Sequence, residues 1–267
     1  MSGDPSAQPT GGSPIVVALD FDRRRFLEAY WVGTGRSMDG KLLHVRRSIW
    51  LAFIGTSLLF VLFPQIDLSF SSLFYTPGLG FEVSGAWYER VIYYGSELLI
   101  AVISLALVAL WAYTRLAKRR FPIGLSGREL GFVLLVLALG PGLVVNWGLK
   151  DHWGRARPMQ VAEFGGARTF TPAWVISDQG GGSFSSGHAA ATFYLVAVTL
   201  VMARRRRRLW IALALAWSLV VGLTRIASGS HFLSDVVVSF FIVLILMLML
   251  RGLMFGPSSP GRRAPAR

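Results

Sequence analysis

Six apolar stretches, at about 48–66, 91–113, 129–149, 188–203, 209–224 and 235–254, constrain this chain more than any other feature. A helix needs about 20 apolar residues to cross a bilayer, and a backbone within hydrocarbon must satisfy its own polar groups. The chain is therefore expected to be an all-α integral membrane protein, a bundle of six transmembrane helices. The fourth and fifth runs are short for a crossing, so their ends extend into flanking residues or the helices tilt little. Pro141, between Gly140 and Gly142, removes a backbone donor and is expected to kink the third. Composition agrees: 53% of the residues are hydrophobic and only 15% charged, which is the balance of a membrane protein rather than a soluble one.

The formal net charge of +13 would suit a nucleic-acid partner, but its placement argues for topology instead. The excess lies in short blocks between the apolar runs: Arg46-Arg47, then Arg115, Lys118, Arg119, Arg120 and Arg128, then five arginines at 204–208, then Arg251, Arg262, Arg263 and Arg267. With six crossings all four blocks fall on one side, which the positive-inside tendency makes cytoplasmic. The arginine run is also suited to anionic headgroups. Nucleic acid is not expected as a partner; the bilayer is.

Residues 1–45 then form a cytoplasmic N-terminal segment, 46–255 the membrane domain and 256–267 a disordered basic tail. Residues 1–14 are rich in Gly, Ser and Pro and are expected to be disordered. Residues 21–32 mix Phe26, Leu27, Tyr30 and Trp31 with Arg23, Arg24 and Arg25; an interfacial amphipathic helix and a basic leader are both open readings. No apolar core lies beside a cleavage site there, so no signal peptide is expected. The chain has no cysteine, which removes disulfides and thiolate metal sites.

The loops expected on the outward side, 67–90, 150–187 and 225–234, hold three polar clusters. The first is Lys150, six residues, then Arg157-Pro158; the second is Ser185-Ser186-Gly187-His188; the third is Arg225, five residues, His231, three residues, Asp235. Charge set against lipid is costly enough to read as functional. His231 and Asp235, four apart, share a face if helical. A carboxylate bonded to one ring nitrogen makes the other a better nucleophile. Ser186 and Gly187 precede a helix whose first amides suit a phosphoryl oxygen, which places His188 for proton transfer. Lys150, Arg157 and Arg225 are cations that would neutralise the oxygens of a transferring phosphoryl group. Two further residues are candidate substrate contacts. Arg155 faces either the substrate or a salt bridge to Asp151. Glu97, inside the second run, either pairs with one of the site's cations or bonds another helix.

These clusters resemble the type 2 phosphatidic acid phosphatase superfamily, whose pattern runs Lys, six residues, Arg-Pro; Pro-Ser-Gly-His; and Ser-Arg, five residues, His, three residues, Asp. All spacings hold in order. Ser185 stands where the family usually has proline and Thr224 where it usually has serine. The resemblance covers roughly residues 50–250. It implies that His231 attacks phosphorus and forms a phosphohistidine supported by Asp235, and that His188 serves as the acid and base. It implies a phosphatase without a metal cofactor. The arginine topology places its site under a small polar cap on the outward, periplasmic side, and a bacterial inner membrane is expected from the similarity of the loop between the first two clusters.

Between the first two clusters, Glu163-Phe164-Gly165-Gly166, Phe170-Thr171-Pro172-Ala173-Trp174 and Ser177-Asp178-Gln179 are similar to the corresponding loop of bacterial lipid A 4′-phosphatases. The aromatic residues there are expected along the bilayer surface, holding the lipid while its phosphate enters the basic pocket. A lipid A-like phosphate is the favoured substrate. Undecaprenyl diphosphate, phosphatidylglycerol phosphate, or a phosphotransferase reaction in the same fold are the alternatives.

Overall fold

The computed structural model describes residues 41–117, 125–202 and 205–256. The expectations for 1–14, for 21–32 and for the tail beyond 256 lie outside these residues.

An antiparallel hairpin, β1 (Lys41–Leu42) with β2 (Val45–Arg46), leads into helix α1 (Arg47–Leu62). The first apolar run was expected to stay helical to 66. It instead stops at Phe63, whose φ of −124° and ψ of 63° leave the helical region. Pro64 is the cause: its ring disfavours a helical residue before it, and it has no N–H to continue the ladder. Helix α2 (Gln65–Ser72) departs at 81° from α1. A second hairpin, β3 (Tyr75–Thr76) with β4 (Gly80–Phe81), precedes α3 (Trp87–Leu116).

Helix α4 (Gly127–Leu137) starts with a capping box in which Ser126 and Glu129 satisfy each other's backbone amides. It continues as a wide π-type winding over Ala138–Lys150. Pro141 falls early in that winding. A proline already forfeits one hydrogen bond, and the looser turn moves its ring away from the preceding carbonyls. The apolar segment Gly127–Lys150 thus runs as one span rather than breaking at the proline. A long connection, 151–186, holds two short 3₁₀ turns, Pro158–Gln160 and Ala162–Phe164. Helices α5 (Gly187–Phe193) and α6 (Leu195–Met202) follow in succession, then α7 (Arg207–Ala227) and α8 (Leu233–Phe255).

Among the described residues four helices are long and apolar enough to cross a membrane: α3, α4 with its π extension, α7 and α8. The bent α1–α2 pair makes a fifth if counted as one span, and Gly187–Val201 is a shorter apolar helix. The core is built where α4, α5, α6 and α8 meet, around Phe132, Val133, Val136, Tyr194, Ala197 and Val243. Small residues bring the helices together: Gly140 accepts Val243 of α8, and Gly222 of α7 accepts Val236. Helix α3 lies at the periphery, with Leu98, Leu105 and Leu116 exposed. At 30 residues it is about 45 Å long, so part of it projects beyond a hydrocarbon layer about 30 Å thick.

The connections over the site have an aromatic core of their own. Phe81, Phe164, Tyr75, Phe170 and Phe232 cluster together, with Phe81 and Phe164 ring centroids 5.3 Å apart. This corrects the expectation that the loop's aromatics lie out along the bilayer. Phe164 and Phe170 pack inward, and Trp174 packs on Trp153, Phe184 and Phe53. Aromatic side chains supply most of the area of this small core, with Ala156 and Val161 filling in between them. Of the large apolar residues in the 151–186 connection, Met159, Val175 and Ile176 stay exposed.

Candidate active site

His231 lies on the turn between α7 and α8. Helix α7 ends at Gly229, whose φ of +65° is the left-handed conformation that closes a helix. The amides of Ser230 and His231 return to the Arg225 carbonyl at 3.1 and 3.2 Å. His231 is therefore not helical, contrary to the expectation that it shares a helix face with Asp235. The four-residue spacing works for another reason. Asp235 is in the first turn of α8, and its Oδ2 folds back to accept the Phe232 amide at 2.7 Å. That brings Oδ2 to 3.7 Å from His231 Nδ1.

The hydrogen bond of His231 goes elsewhere. Nδ1 is 2.8 Å from the Ser183 carbonyl oxygen, which can only accept, so Nδ1 carries the proton and Nε2 the lone pair. The Ser183 hydroxyl donates to Asp235 Oδ2 at 2.6 Å. Ser183 thus stands between the carboxylate and the ring, touching both. Burial, more than any other cause, holds the His231 ring below the usual imidazole range, and the charges of Arg225 and Arg157 add to this while Asp235 opposes it. The ring is neutral at neutral pH, the state a nucleophile requires.

Arg155 is fully buried and faces no substrate. Its Nη1 donates to Asp235 Oδ1 at 2.5 Å and to Ser234 Oγ at 2.9 Å, its Nη2 to Asp67 Oδ2 at 2.8 Å, and its Nε to the Thr171 carbonyl at 2.8 Å. The guanidinium also lies 4.4 Å over the Phe232 ring. Both earlier readings, substrate contact and a bridge to Asp151, are thereby corrected. An arginine with no exposure needs counter-charge, and Asp235 and Asp67 supply it at Nη1 and Nη2 while the Thr171 carbonyl takes Nε. Asp67 in turn accepts the Ser234 amide at 2.8 Å, tying α2 to the start of α8.

His188 opens α5. Ser186 caps that helix by accepting the Ala189 amide at 3.4 Å, and its own amide goes to the Asp235 carbonyl at 3.2 Å. A Cβ at Gly187 would meet the side-chain amide of Asn146 in the π segment, so any larger residue there would displace that side chain. The His188 ring stacks on Tyr93 of α3 at 4.3 Å between centroids. The same tyrosine lies 4.7 Å beneath the Arg225 guanidinium. Lys150, Arg157, Arg225 and His231 are all within electrostatic reach of the His188 ring.

Of the three site cations, Arg225 is held by Glu89 of α3, Nη1 to Oε1 at 2.6 Å, while its Nε has no partner. Lys150 runs alongside Gly182. Neither Lys150 nor Arg157 makes an ion pair with the described residues, so both remain able to take an anion. Glu97 does not hold one of these cations, as one reading had it. Its Oε1 is 3.3 Å from His188 Nε2. The position of cation partner belongs to Glu89, two turns earlier on the same helix.

Sequence reasoning missed Ser183, Ser234, Asp67, Glu89 and Tyr93. The signal for three of them was present. Asp67 and Glu89 are carboxylates at the margins of apolar runs in a chain with only 14 acidic residues, and Glu89, Tyr93 and Glu97 recur at the four-residue interval of a helix face. The assembled groups suit phosphoryl transfer: a buried neutral imidazole whose Nε2 is unprotonated, a second imidazole, and three cations for the anionic oxygens.

Sequence comparisons with known proteins point the same way. Residues 129–256 match the PAP2 superfamily model. A lipid A 4′-phosphatase of Francisella tularensis subsp. novicida is 34% identical over 208 residues, covering 73% of this chain and 89% of that protein. Lipid A 4′-phosphatases of Rhizobium leguminosarum and Rhizobium etli are 31% and 30% identical, covering 77% and 76% of this chain and 93% and 84% of those proteins. Among solved structures, a transmembrane PAP2-type phosphatidylglycerolphosphate phosphatase from Bacillus subtilis is similar at a TM-score of 0.49 and 16% identity, covering 80% of this chain and 98% of that one.

Proposed function

This chain belongs to the PAP2 superfamily and is a membrane lipid phosphatase, and from that premise we propose that it hydrolyses a lipid A-like phosphate through a phosphohistidine on His231. The observation that carries the chemistry is the bond between His231 Nδ1 and the Ser183 carbonyl, which leaves Nε2 as the free nucleophile. Nε2 attacks phosphorus as the bond to the lipid oxygen breaks, and His188 gives its proton to that oxygen. His188 then takes a proton from water as the water oxygen attacks phosphorus and the P–N bond breaks. Inorganic phosphate leaves and both rings return to their starting states. Lys150, Arg157 and Arg225 hold the equatorial oxygens, with Ser186 and the Gly187 turn beside them. Asp235 steadies the charge that His231 gains when phosphorylated.

The proposed topology has six crossings, with Gly187–Met202 as a short fourth span and the site facing the periplasm of a bacterial inner membrane. Support comes from the distribution of charge. Arg47, Arg115, Arg128, Arg207 and Arg251 stand at or near one set of helix ends, and Lys150, His188, Arg225 and His231 at the other. The substrate assignment is supported by the three relatives, each named for lipid A 4′-phosphatase activity.

The test is phosphate release by purified protein from lipid A, undecaprenyl diphosphate, phosphatidylglycerol phosphate and phosphatidic acid, with His231→Ala alongside. Release from lipid A that disappears in the variant is the expected result. Release only from the other lipids overturns the substrate assignment, and undiminished turnover by His231→Ala overturns the mechanism.

A further inference from the structure

Glu97 sits where a carboxylate is costly. It lies in the apolar body of α3, its side chain is 50% exposed, and the neighbouring Leu98 and Leu99 are exposed as well. Its Oε1 is 3.3 Å from His188 Nε2, a buried nitrogen that has no hydrogen-bond partner among the described residues. One turn earlier, Tyr93 stacks on the same ring with its plane tilted 35°. Helix α3 therefore touches His188 twice, once on its face and once at Nε2.

We propose that Glu97 and His188 form a second carboxylate–imidazole pair, in which Glu97 is a positioning residue that directs Nδ1 of His188 to the leaving oxygen. This rests on the phosphatase reading above. A proton on Nε2 faces the carboxylate, so Nδ1 is the nitrogen that exchanges protons with substrate. In the first step the Nδ1 proton moves to the lipid oxygen as its bond to phosphorus breaks. In the second, Nδ1 regains a proton from the attacking water. Around this ring stand Lys150 from the π segment, Arg157 from the 151–186 connection, Arg225 from α7, His231 from the α7–α8 turn, and Tyr93 and Glu97 from α3. The cations oppose the imidazolium that must exist before the first step. Among these groups Glu97 is the carboxylate that favours it, and a bound phosphate adds to that effect.

The experiment compares wild type, Glu97→Gln and Glu97→Asp in detergent micelles, measuring kcat and KM for the lipid substrate across pH. Glu97→Gln is expected to lower kcat at neutral pH by about 10-fold with KM unchanged. The basic limb of its kcat profile should move to lower pH by about one unit, because the protonated ring has lost its counter-charge. Glu97→Asp restores part of both. An unmoved limb, or a loss confined to KM, overturns the pair; the latter marks Glu97 as a substrate contact. Nitrogen-15 NMR of histidine-labelled protein reads the same pair without substrate. The His188 ring should titrate at lower pH in Glu97→Gln, and an identical titration overturns the proposal even if no lipid is turned over. Wild type inactive on every lipid would overturn the function reading alone.

Discussion

His231 Nδ1 lies 2.8 Å from the Ser183 carbonyl and 3.7 Å from the nearer oxygen of Asp235. The tautomer of the proposed nucleophile is set by a backbone group, and the carboxylate acts on the ring by charge and through the Ser183 hydroxyl. The two contributions are separable by substitution. Ser183→Ala keeps the carbonyl and removes only the 2.6 Å bond to Asp235; kcat should fall by roughly 10-fold, less than the roughly 10²-fold or more that an acid–base group itself supplies. Asp235→Asn removes the charge that supports phosphorylated His231, and should cost roughly 10²- to 10⁴-fold in kcat. Equal losses in the two variants would mean that Ser183, not Asp235, is the principal support.

Arg155 is the centre of a fully buried network, and its removal is expected to be a folding defect before it is a catalytic one. Arg155→Ala leaves Asp67 and Asp235 buried without a counter-charge, which should destabilise the protein by roughly 3–5 kcal/mol. Arg155→Lys keeps the charge but not the fork that reaches both carboxylates, and should fall between. Thermal unfolding in detergent gives the order. A wild-type midpoint for Arg155→Ala would show that the network carries no stability.

What the sequence disclosed and what it hid divide by distance along the chain. The three clusters were legible because each is a local turn at the end of an apolar run. The partners that orient them were not. Arg155 finds Asp67 from 88 positions away, and Arg225 finds Glu89 from 136. Arg155 looked like a substrate contact because charge near a phosphate site is the common use of arginine, and nothing local showed two carboxylates converging on it. The break at Pro64 was readable from the proline itself. The widening at Pro141 was not, because a kink and a π turn both answer the same missing donor.

The state of His231 sets the acid side of the pH profile. Burial lowers its pKa from the ordinary imidazole value, so the neutral nucleophile persists as pH falls through about 6.5. The acid limb of kcat/KM should therefore lie below that value. Asp235 raises the His231 pKa, so in Asp235→Asn the limb should move to still lower pH. The stability sign follows from the same shift. Below the unfolded value the unfolded chain binds the proton that folded His231 refuses, so this residue's share of stability is present above about 6.5 and is lost as pH falls toward the folded value. An acid limb above 6.5 would contradict the assignment of His231 as the titrating group.

Arg225 is held from one side only, and this predicts a distinct phenotype for Glu89. The carboxylate takes Nη1 at 2.6 Å, the Tyr93 ring lies under the guanidinium, and Nε stays unpartnered. An arginine so held presents its remaining donors in one direction before any anion arrives, so Glu89 acts by preorganising Arg225 and not by touching substrate itself. Glu89→Gln preserves the shape and loses the charge, so the guanidinium gains freedom while remaining in place. kcat/KM should fall by about 10-fold. Vanadate, which mimics the transferring phosphoryl group, should inhibit the variant more weakly by a similar factor, because it relies on the same held arginine. Vanadate inhibition unchanged beside a lowered kcat would separate Glu89 from Arg225, and would place its effect in the stability of α3 instead.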